Sequence, residues 1–175
     1  RGRQVVTVKR GDTGATYEEG YDAVILATGS RPLVPPLPGA DDASVFTLWT
    51  MGDMDRLLAR VSEGTRRATV VGAGFIGLEV AENLRLRGVE VHLVDILPHV
   101  LRTLDAEMAQ PLHVELAAKG VVLHLGQAAA AIERPAPTGP VTVVLKSGER
   151  LESDLVVMAV GVRPNSELAA AAGLT

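Results

Sequence analysis

The 175-residue chain can bury one ordinary hydrophobic core, and its length favours one domain with flanking pieces. A hydrophobic content of 47% with 22% charged residues excludes a disordered polypeptide, and a formal net charge of -4 with scattered basic residues indicates no nucleic-acid partner. Cysteine is absent, which excludes a disulfide scaffold, a thiolate metal site and a thiol redox centre within these residues.

Membrane and metal sites are also not expected. No apolar run approaches the roughly 18 residues of a membrane span, and the polar N-terminal residues do not resemble a secretory signal, so we expect a soluble cytoplasmic protein. The histidines fall in separate predicted elements without metal-ligand spacing, and we predict isolated positions and no metal for all of them. They are His92, His99, His113 and His124.

The N-terminal part of the chain predicts a hairpin, a strand and a linker. Val5–Val8 and Ala15–Glu19 have the composition of two strands around a turn that contains Gly11 and Gly14. The continuous apolar run Asp22–Ala27 predicts a buried strand. Four prolines then follow in Arg31–Gly39, where they exclude a helix or a central strand and mark a boundary.

Helices and strands alternate beyond this boundary. Each helical segment is followed at once by a glycine, which readily adopts the left-handed conformation that ends a helix. The predicted helices are Met51–Glu63, Phe75–Arg87 and Asp105–Lys119, and the glycines are Gly64, Gly88 and Gly120. Pro111 lies inside the third helix, where it should either kink the helix or delay its start.

The strands between these helices are almost entirely apolar, as in a parallel sheet buried on both faces. They are predicted at Ala68–Val71, Val89–Val94, Val121–Leu125 and Leu155–Val160. Ala129–Glu133, Val141–Leu145 and the polar turn Lys146–Glu149 predict an antiparallel insertion. The fold class is therefore α/β, a Rossmann-like parallel sheet flanked by helices with an inserted antiparallel β-meander.

A glycine-rich turn joins the first strand of this sheet to a helix. Gly72, Ala73, Gly74 and Gly77 give the pattern G-x-G-x-x-G, and Asp95 ends the next strand about 20 residues on, as in dinucleotide-binding βαβ units. Gly72 would permit the tight turn, Gly74 the approach of a pyrophosphate, and Gly77 the packing of helix on strand. The alternative is a turn that binds nothing.

The acidic residue bears on which dinucleotide binds. Asp95 would accept hydrogen bonds from the adenosine ribose and would repel a 2′-phosphate, which favours NAD(H) over NADP. Arg102 opposes this preference, because it would reach a 2′-phosphate if the loop Ile96–Leu101 folded back. We expect NAD(H), with NADP as the second choice.

Three segments resemble the pyridine nucleotide-disulfide oxidoreductase superfamily. They are Tyr21–Pro32 with its A-T-G-S-R-P ending, Gly74–Glu79 (GFIGLE), and Ala159–Asn165 (AVGVRPN) with the residues that follow. Their order and spacing are similar over nearly the whole chain. The GFIGLE segment and the GVRPN ending are most similar to those of coenzyme A-disulfide reductases, NADH oxidases and NADH peroxidases. The ferredoxin and nitrite reductase flavoproteins are similar in the same segments.

The resemblance implies several cofactor contacts. Phe75 and Ile76 match positions near the nicotinamide and flavin rings, and Phe75 would be either a gate over the flavin or a core residue at the helix start. Glu79 matches a glutamate that faces the nicotinamide carboxamide, or is a helix-face glutamate favoured by the helix dipole. Gly161 matches a glycine along the nicotinamide pocket. Thr28 and Gly29 match positions that contact FAD, although a simple turn would also explain them.

The resemblance also implies a fragment of a larger flavoprotein. Residues 1–38 would be a remnant of FAD-domain strands and a linker, residues 39–160 the NAD(H)-binding domain, and residues 161–175 a connector back to the FAD domain. The family's flavin fingerprint, cysteine region and dimerisation domain are absent here. We therefore expect FAD and a homodimer in the parent protein, with no flavin retained and no activity in this fragment alone.

The implied function is hydride transfer from NADH to flavin, followed by reduction of a disulfide, peroxide, oxygen or protein acceptor. No residue of this chain need act as acid, base or nucleophile, because the cofactors carry the chemistry. Three alternatives remain open: a ferredoxin or nitrite reductase-like flavoprotein without a redox cysteine, a non-catalytic NAD(H)-sensing module, and an α/β domain without a ligand.

Overall fold

The computed structural model of the chain describes residues 3–174, which form two compact units. One unit contains the described residues up to Ser30 together with those from Pro164 onwards, and the other is Arg31–Arg163. The division at residues 38 and 160 stays a prediction about domains. No helix within residues 3–174 combines the length and apolar character needed to cross a bilayer.

The first unit contains the predicted hairpin. Strands β1 (Val5–Lys9) and β2 (Thr16–Gly20) pair antiparallel, with Val5 opposite Gly20 and Lys9 opposite Thr16. Gly14 has a φ of +71° in the turn between them, a conformation that favours glycine. This prediction is confirmed.

The buried strand predicted at Asp22–Ala27 is wrong. These residues form no strand, and the side chain of Ile25 is 90% exposed. A strand needs a neighbour for its N–H and C=O groups, and no described strand pairs with this segment. An apolar run therefore did not by itself predict burial.

A five-stranded parallel sheet forms the centre of the second unit. Two short strands at the ends of this unit, β3 (Ser30–Pro32) and β12 (Val162–Pro164), pair with each other in a separate sheet. The central strands are β4 (Val45–Phe46), β5 (Arg67–Val71), β6 (Glu90–Asp95), β7 (Val121–Leu125) and β11 (Leu155–Met158). Their order is β4-β11-β5-β6-β7, so the chain crosses from β7 on one edge to β11 beside β5 through the insertion.

The predicted helices are confirmed. They are α1 (Met51–Ser62), α2 (Phe75–Leu86) and α3 (Ala106–Ala118), with a short α4 (Glu167–Ala171) in the first unit. The three glycines that follow α1, α2 and α3 all have positive φ, between +79° and +102°. Helix α3 starts at Ala106 and continues through Pro111. Of the two effects expected of Pro111, a delayed start of the helix is therefore wrong.

The inserted meander covers one face of the sheet, and helices cover the other. Strands β8 (Ala129–Glu133), β9 (Val141–Leu145) and β10 (Arg150–Ser153) form an antiparallel sheet, as predicted. Alternate side chains along β5, β6 and β11 enter two separate apolar clusters. One cluster contains Leu57, Val80, Leu84, Val91, Leu93, Ala109 and Leu155 with the helices, and the other contains Val94, Val143, Leu145, Leu151 and Val156 with the meander.

Two of the histidines are not isolated, contrary to the prediction. Nδ1 of His92 on β6 lies 2.9 Å from Nε2 of His124 on β7, and the ring centroids are 5.1 Å apart. Nε2 of His92 is 3.5 Å from Glu90 Oε1, and Nδ1 of His124 is 3.3 Å from Glu149 Oε2. The two imidazoles therefore form a partly buried pair with a carboxylate at each end.

The histidine pair should make stability depend on pH. Burial, followed by the proximity of His124, lowers the pKa of His92, while Glu90 and Glu149 partly oppose the shift. As the pH falls, the unfolded chain therefore binds a proton at His92 at a higher pH than the folded chain does. Stability should then fall as the pH drops below the ordinary histidine pKa of about 6.5. His92→Gln should flatten this decline in urea unfolding midpoints between pH 7.5 and 5.5.

The same change at His99, which lies outside the pair, is the control and should leave the decline in place. An unaltered decline in the His92→Gln variant would exclude this residue as its source.

Candidate functional site

The glycine-rich turn leaves β5 with its backbone pressed against the residues that follow β11. Gly72 has a φ of +109°, and its N–H donates to the carbonyl oxygen of Val94 at 2.8 Å. A Cβ at this position would lie 2.6 Å from the carbonyl carbon of Ala159 and closer still to its oxygen. Both the backbone conformation and the lack of space therefore require glycine here.

Gly77 and Gly74 differ in what surrounds them. A Cβ on Gly77 would overlap the carbonyl oxygen of Gly72, so this glycine lets α2 pack on the turn. A Cβ on Gly74 would meet no described atom within 4 Å, and Gly74 has a φ of -80° that any residue adopts. Nothing within the described chain requires glycine at position 74, and its main chain faces open space.

Asp95 lies beside this turn, at the end of β6. Its Oδ2 accepts a hydrogen bond from the N–H of Ala73 at 2.6 Å, and its Oδ1 accepts one from the N–H of Leu97 at 2.8 Å. The carboxylate therefore holds the glycine-rich turn in place. Each oxygen keeps a second lone pair, which remains available to an external hydroxyl group.

The loop after β6 returns to the same turn, which sequence reasoning did not establish. The N–H of Leu101 donates to the carbonyl oxygen of Ala73 at 2.9 Å, and Leu101 has a φ of +51°. Val100 beside it is fully buried in the helix-side core. Both polar backbone groups of Ala73 are thus engaged, and the turn is fixed before any ligand arrives.

The N-terminus of α2 is open at this place. Gly74 is its N-cap residue and supplies no side-chain hydrogen bond, and the first turn has no acidic residue. The N–H groups of this turn and the positive end of the helix dipole are therefore free to favour an anion. Phe75 is 68% exposed and Ile76 is 37% exposed, so Phe75 is not the core residue that one interpretation expected.

The remaining predicted residues of this unit lie around the turn. Glu79 is exposed one turn into α2, where it borders a groove of about 320 Å³ between α2 and α3. Gly161 is exposed two residues after Ala159, has a φ of +124°, and accepts a hydrogen bond from the N–H of Leu33 at 2.9 Å.

Thr28 and Gly29 belong to the other unit, where they bind Asn165. Oγ1 of Thr28 donates to the carbonyl oxygen of Asn165 at 2.5 Å, and Nδ2 of Asn165 donates to the carbonyl oxygen of Thr28 at 2.9 Å. The N–H of Asn165 also donates to the carbonyl oxygen of Gly29 at 2.9 Å. Two segments more than 130 positions apart are therefore clamped together by three hydrogen bonds.

The comparisons with known proteins all point to one family and cover nine-tenths or more of the chain. Residues 1–175 match the family described as pyridine nucleotide-disulphide oxidoreductase. An NADH oxidase of Methanocaldococcus jannaschii is 40% identical over 162 residues, which cover 91% of this chain and 36% of the relative. This chain therefore spans just over a third of the length of that relative.

Solved structures have the same fold. The reduced CoADR-RHD of Bacillus anthracis matches with a TM-score of 0.91 and 40% identity over 99% of this chain and 31% of the other. The water-forming NADH oxidase of Lactobacillus brevis, bound to NADH, matches with a TM-score of 0.87 and 30% identity over 97% of this chain and 37% of the other. Its engineered variant, a water-forming NADPH oxidase bound to NADPH, matches with a TM-score of 0.87 and 29% identity over 98% of this chain and 37% of the other. The predicted fold class is confirmed.

Proposed function

The chain belongs to the pyridine nucleotide-disulphide oxidoreductase family, an oxidoreductase family whose members use NAD(P)H with FAD, and from this premise we propose that it is the NAD(H)-binding part of an FAD-dependent enzyme. Its role would be to hold NADH so that a hydride passes to the flavin. The electron acceptor of the whole protein, whether a disulfide, peroxide, oxygen or another protein, belongs to the same proposal, because this chain spans only 36% of its NADH oxidase relative.

The observation that carries this proposal is the contrast among the three glycines. Packing within the chain accounts for Gly72 and Gly77, whereas Gly74 faces open space at the N-terminus of α2. A bare main chain at that position lets a pyrophosphate come close to the helix N–H groups, as dinucleotide-binding turns require. The residues present therefore fit a nicotinamide dinucleotide.

Other residues would then orient the dinucleotide. Asp95 would accept the ribose hydroxyls through the lone pairs that Ala73 and Leu97 leave unused. Phe75 is exposed beside the turn and would cover a ring, and Glu79 and Gly161 would border the nicotinamide end. Bound NADH would supply the hydride and bound FAD would accept it; the chain contributes orientation and the exclusion of water. Thr28 and Gly29 would contact FAD.

The relative described as an NADPH oxidase bears on which dinucleotide is accepted. That engineered protein carries five substitutions, among them glycine to alanine, aspartate to alanine eighteen positions later, and proline to arginine seven positions after the aspartate. Gly77, Asp95 and Arg102 have the same spacing here. This chain would thus combine a glycine and an aspartate suited to NADH with the arginine of the NADPH form.

Titration of the purified chain with NADH, followed by nicotinamide fluorescence, tests the proposal. We expect saturable binding with a stoichiometry of about one, because the turn offers one pyrophosphate position. ADP-ribose should compete with NADH, since it carries the same pyrophosphate and ribose. The absence of saturable binding by a folded chain would contradict the proposal.

A further inference from the structure

We propose that His92 and His124 form a proton-binding site that holds one more proton than two neutral imidazoles carry, and that this added proton ties the turn between β9 and β10 to the edge of the sheet. The geometry of three polar contacts carries the proposal. It does not depend on the proposed dinucleotide function.

The two imidazoles lie on neighbouring strands, on the face of the sheet that the meander covers. His92 precedes Val94 by two positions on β6, so both side chains are on one face, and Val94 packs in the meander-side cluster. His124 on β7 lies opposite Val94. The side chain of His92 is 18% exposed and that of His124 is 9% exposed. Water therefore has little access to the rings, and their contacts with each other and with protein groups decide how many protons they hold.

Three contacts join the two rings and their carboxylates, and each needs one proton on a ring nitrogen. Nδ1 of His92 and Nε2 of His124 are 2.9 Å apart, so one of them donates and the other accepts. Nε2 of His92 lies 3.5 Å from Glu90, and Nδ1 of His124 lies 3.3 Å from Glu149. An ionised carboxylate only accepts, so both of these nitrogens must carry a proton. The three contacts thus need three protons, whereas two neutral imidazoles have two.

One neutral ring and one imidazolium supply the three protons. Burial, followed by the proximity of His124, lowers the pKa of His92, so His92 is the neutral ring. Its Nε2–H faces Glu90, and its Nδ1 accepts a hydrogen bond from Nε2 of His124. The imidazolium of His124 donates from both nitrogens, to His92 and to Glu149.

The charged residues around the pair favour one added proton and disfavour two. Glu90 on β6 and Glu149 in the turn place a negative charge at each end. Arg67 on β5 lies opposite Glu90 in the register, but its guanidinium binds Glu152 of β10 at 2.8 Å. Lys146 is exposed in the turn that carries Glu149. A second added proton would put a positive charge on both rings and would remove the hydrogen bond between them.

The added proton connects the meander to the sheet. Glu149 belongs to the turn between β9 and β10, where its carbonyl oxygen accepts the N–H of Leu145 at 2.8 Å. His124 lies on β7, the edge strand of the parallel sheet. Without the added proton, a lone pair of His124 would face the Glu149 carboxylate, and the contact would open. The turn is therefore tied to the sheet edge only while the pair holds this proton.

¹⁵N NMR of the histidine rings counts these protons, because protonated and bare ring nitrogens differ in chemical shift. At pH 7, three of the four ring nitrogens of the pair should be protonated in the wild-type chain. In Glu149→Gln only two should be, because the amide donates to His124 and replaces the added proton. Glu133→Gln is the matched control: Glu133 is 50% exposed, against 49% for Glu149, but it binds Arg150. This variant should keep three protonated nitrogens.

Urea unfolding at different pH values provides a second readout. Above the ordinary histidine pKa of about 6.5, the unfolded chain releases its histidine protons while the folded pair keeps one. The folded chain then binds more protons than the unfolded chain, so its stability should fall as the pH rises from about 6.5 to about 8.5. This fall in the urea midpoint should be smaller in Glu149→Gln and unchanged in Glu133→Gln.

Two protonated nitrogens in the wild-type pair at pH 7 would overturn the proposal. Three protonated nitrogens in Glu149→Gln would also overturn it, because the added proton would then be independent of the turn. The same result follows if stability falls equally in the wild-type chain and in Glu149→Gln between about pH 6.5 and 8.5.

Discussion

Gly74→Val should abolish NADH binding and leave the fold intact. The new side chain would fill the space where the pyrophosphate approaches the main chain, and we expect a loss of affinity of about a hundredfold or more. The fold should tolerate the change because a Cβ at this position meets no described atom within 4 Å and the φ of -80° suits any residue. Replacement of a glycine N-cap by valine should cost about 1 kcal/mol or less of stability.

Fluorescence titration with NADH measures the affinity, and urea unfolding measures the stability. Gly20→Val is the matched control, because Gly20 also has open space around it and no positive φ, but lies in β2 of the other unit. Gly20→Val should bind NADH as the wild-type chain does. A folded Gly74→Val variant with wild-type affinity would remove the pyrophosphate from this turn.

The sequence pattern predicted a separate role for each of these glycines but not the atoms that require them. Gly72 was expected to permit the tight turn, Gly74 the approach of a pyrophosphate, and Gly77 the packing of helix on strand. The structure assigns Gly72 and Gly77 to packing within the chain, because the atoms that exclude a Cβ belong to Ala159 and to Gly72 itself. Among the three, Gly74 is the one for which no contact within the described chain requires glycine. This distinction depends on how β11 approaches the turn, which local sequence does not specify.

Other features of the structure could not be predicted because they depend on contacts between residues distant in sequence. Helices and strands of the second unit were predictable from periodicity and from glycine at the helix ends, since both signals are local. The contact between His92 and His124 depends on the register of β6 on β7, which places His92 opposite Val122 and His124 opposite Val94. The segment Asp22–Ala27 failed for a related reason: its apolar composition suits a sheet, but no described strand accompanies it.

The sequence did not predict whether the loop around Leu101 folds back towards the glycine-rich turn. A non-glycine residue with a φ of +51° has no sequence signature, because its conformation is imposed by buried neighbours such as Val100. Its hydrogen bond to Ala73 shows that the loop folds back towards the turn.

Gly72→Ala should cause a large loss of stability. The alanine Cβ would meet the backbone of Ala159 and Val160, the latter at 2.9 Å from its nitrogen, and the φ of +109° would strain any L-residue. Strain and overpacking together should lower the free energy of unfolding by about 3–5 kcal/mol, a large part of the stability of an ordinary domain.

Gly148→Ala separates the two causes of this expected loss. Gly148 has a φ of +90° in the turn between β9 and β10, and a Cβ there meets nothing within 4 Å, so only backbone strain should contribute, at about 1–2 kcal/mol. The free energies of unfolding of the two variants, measured in urea, should therefore differ by about 1–4 kcal/mol. Equal losses in the two variants would mean that the end of β11 does not press against the turn, and the close packing that distinguishes Gly72 from Gly74 would be wrong.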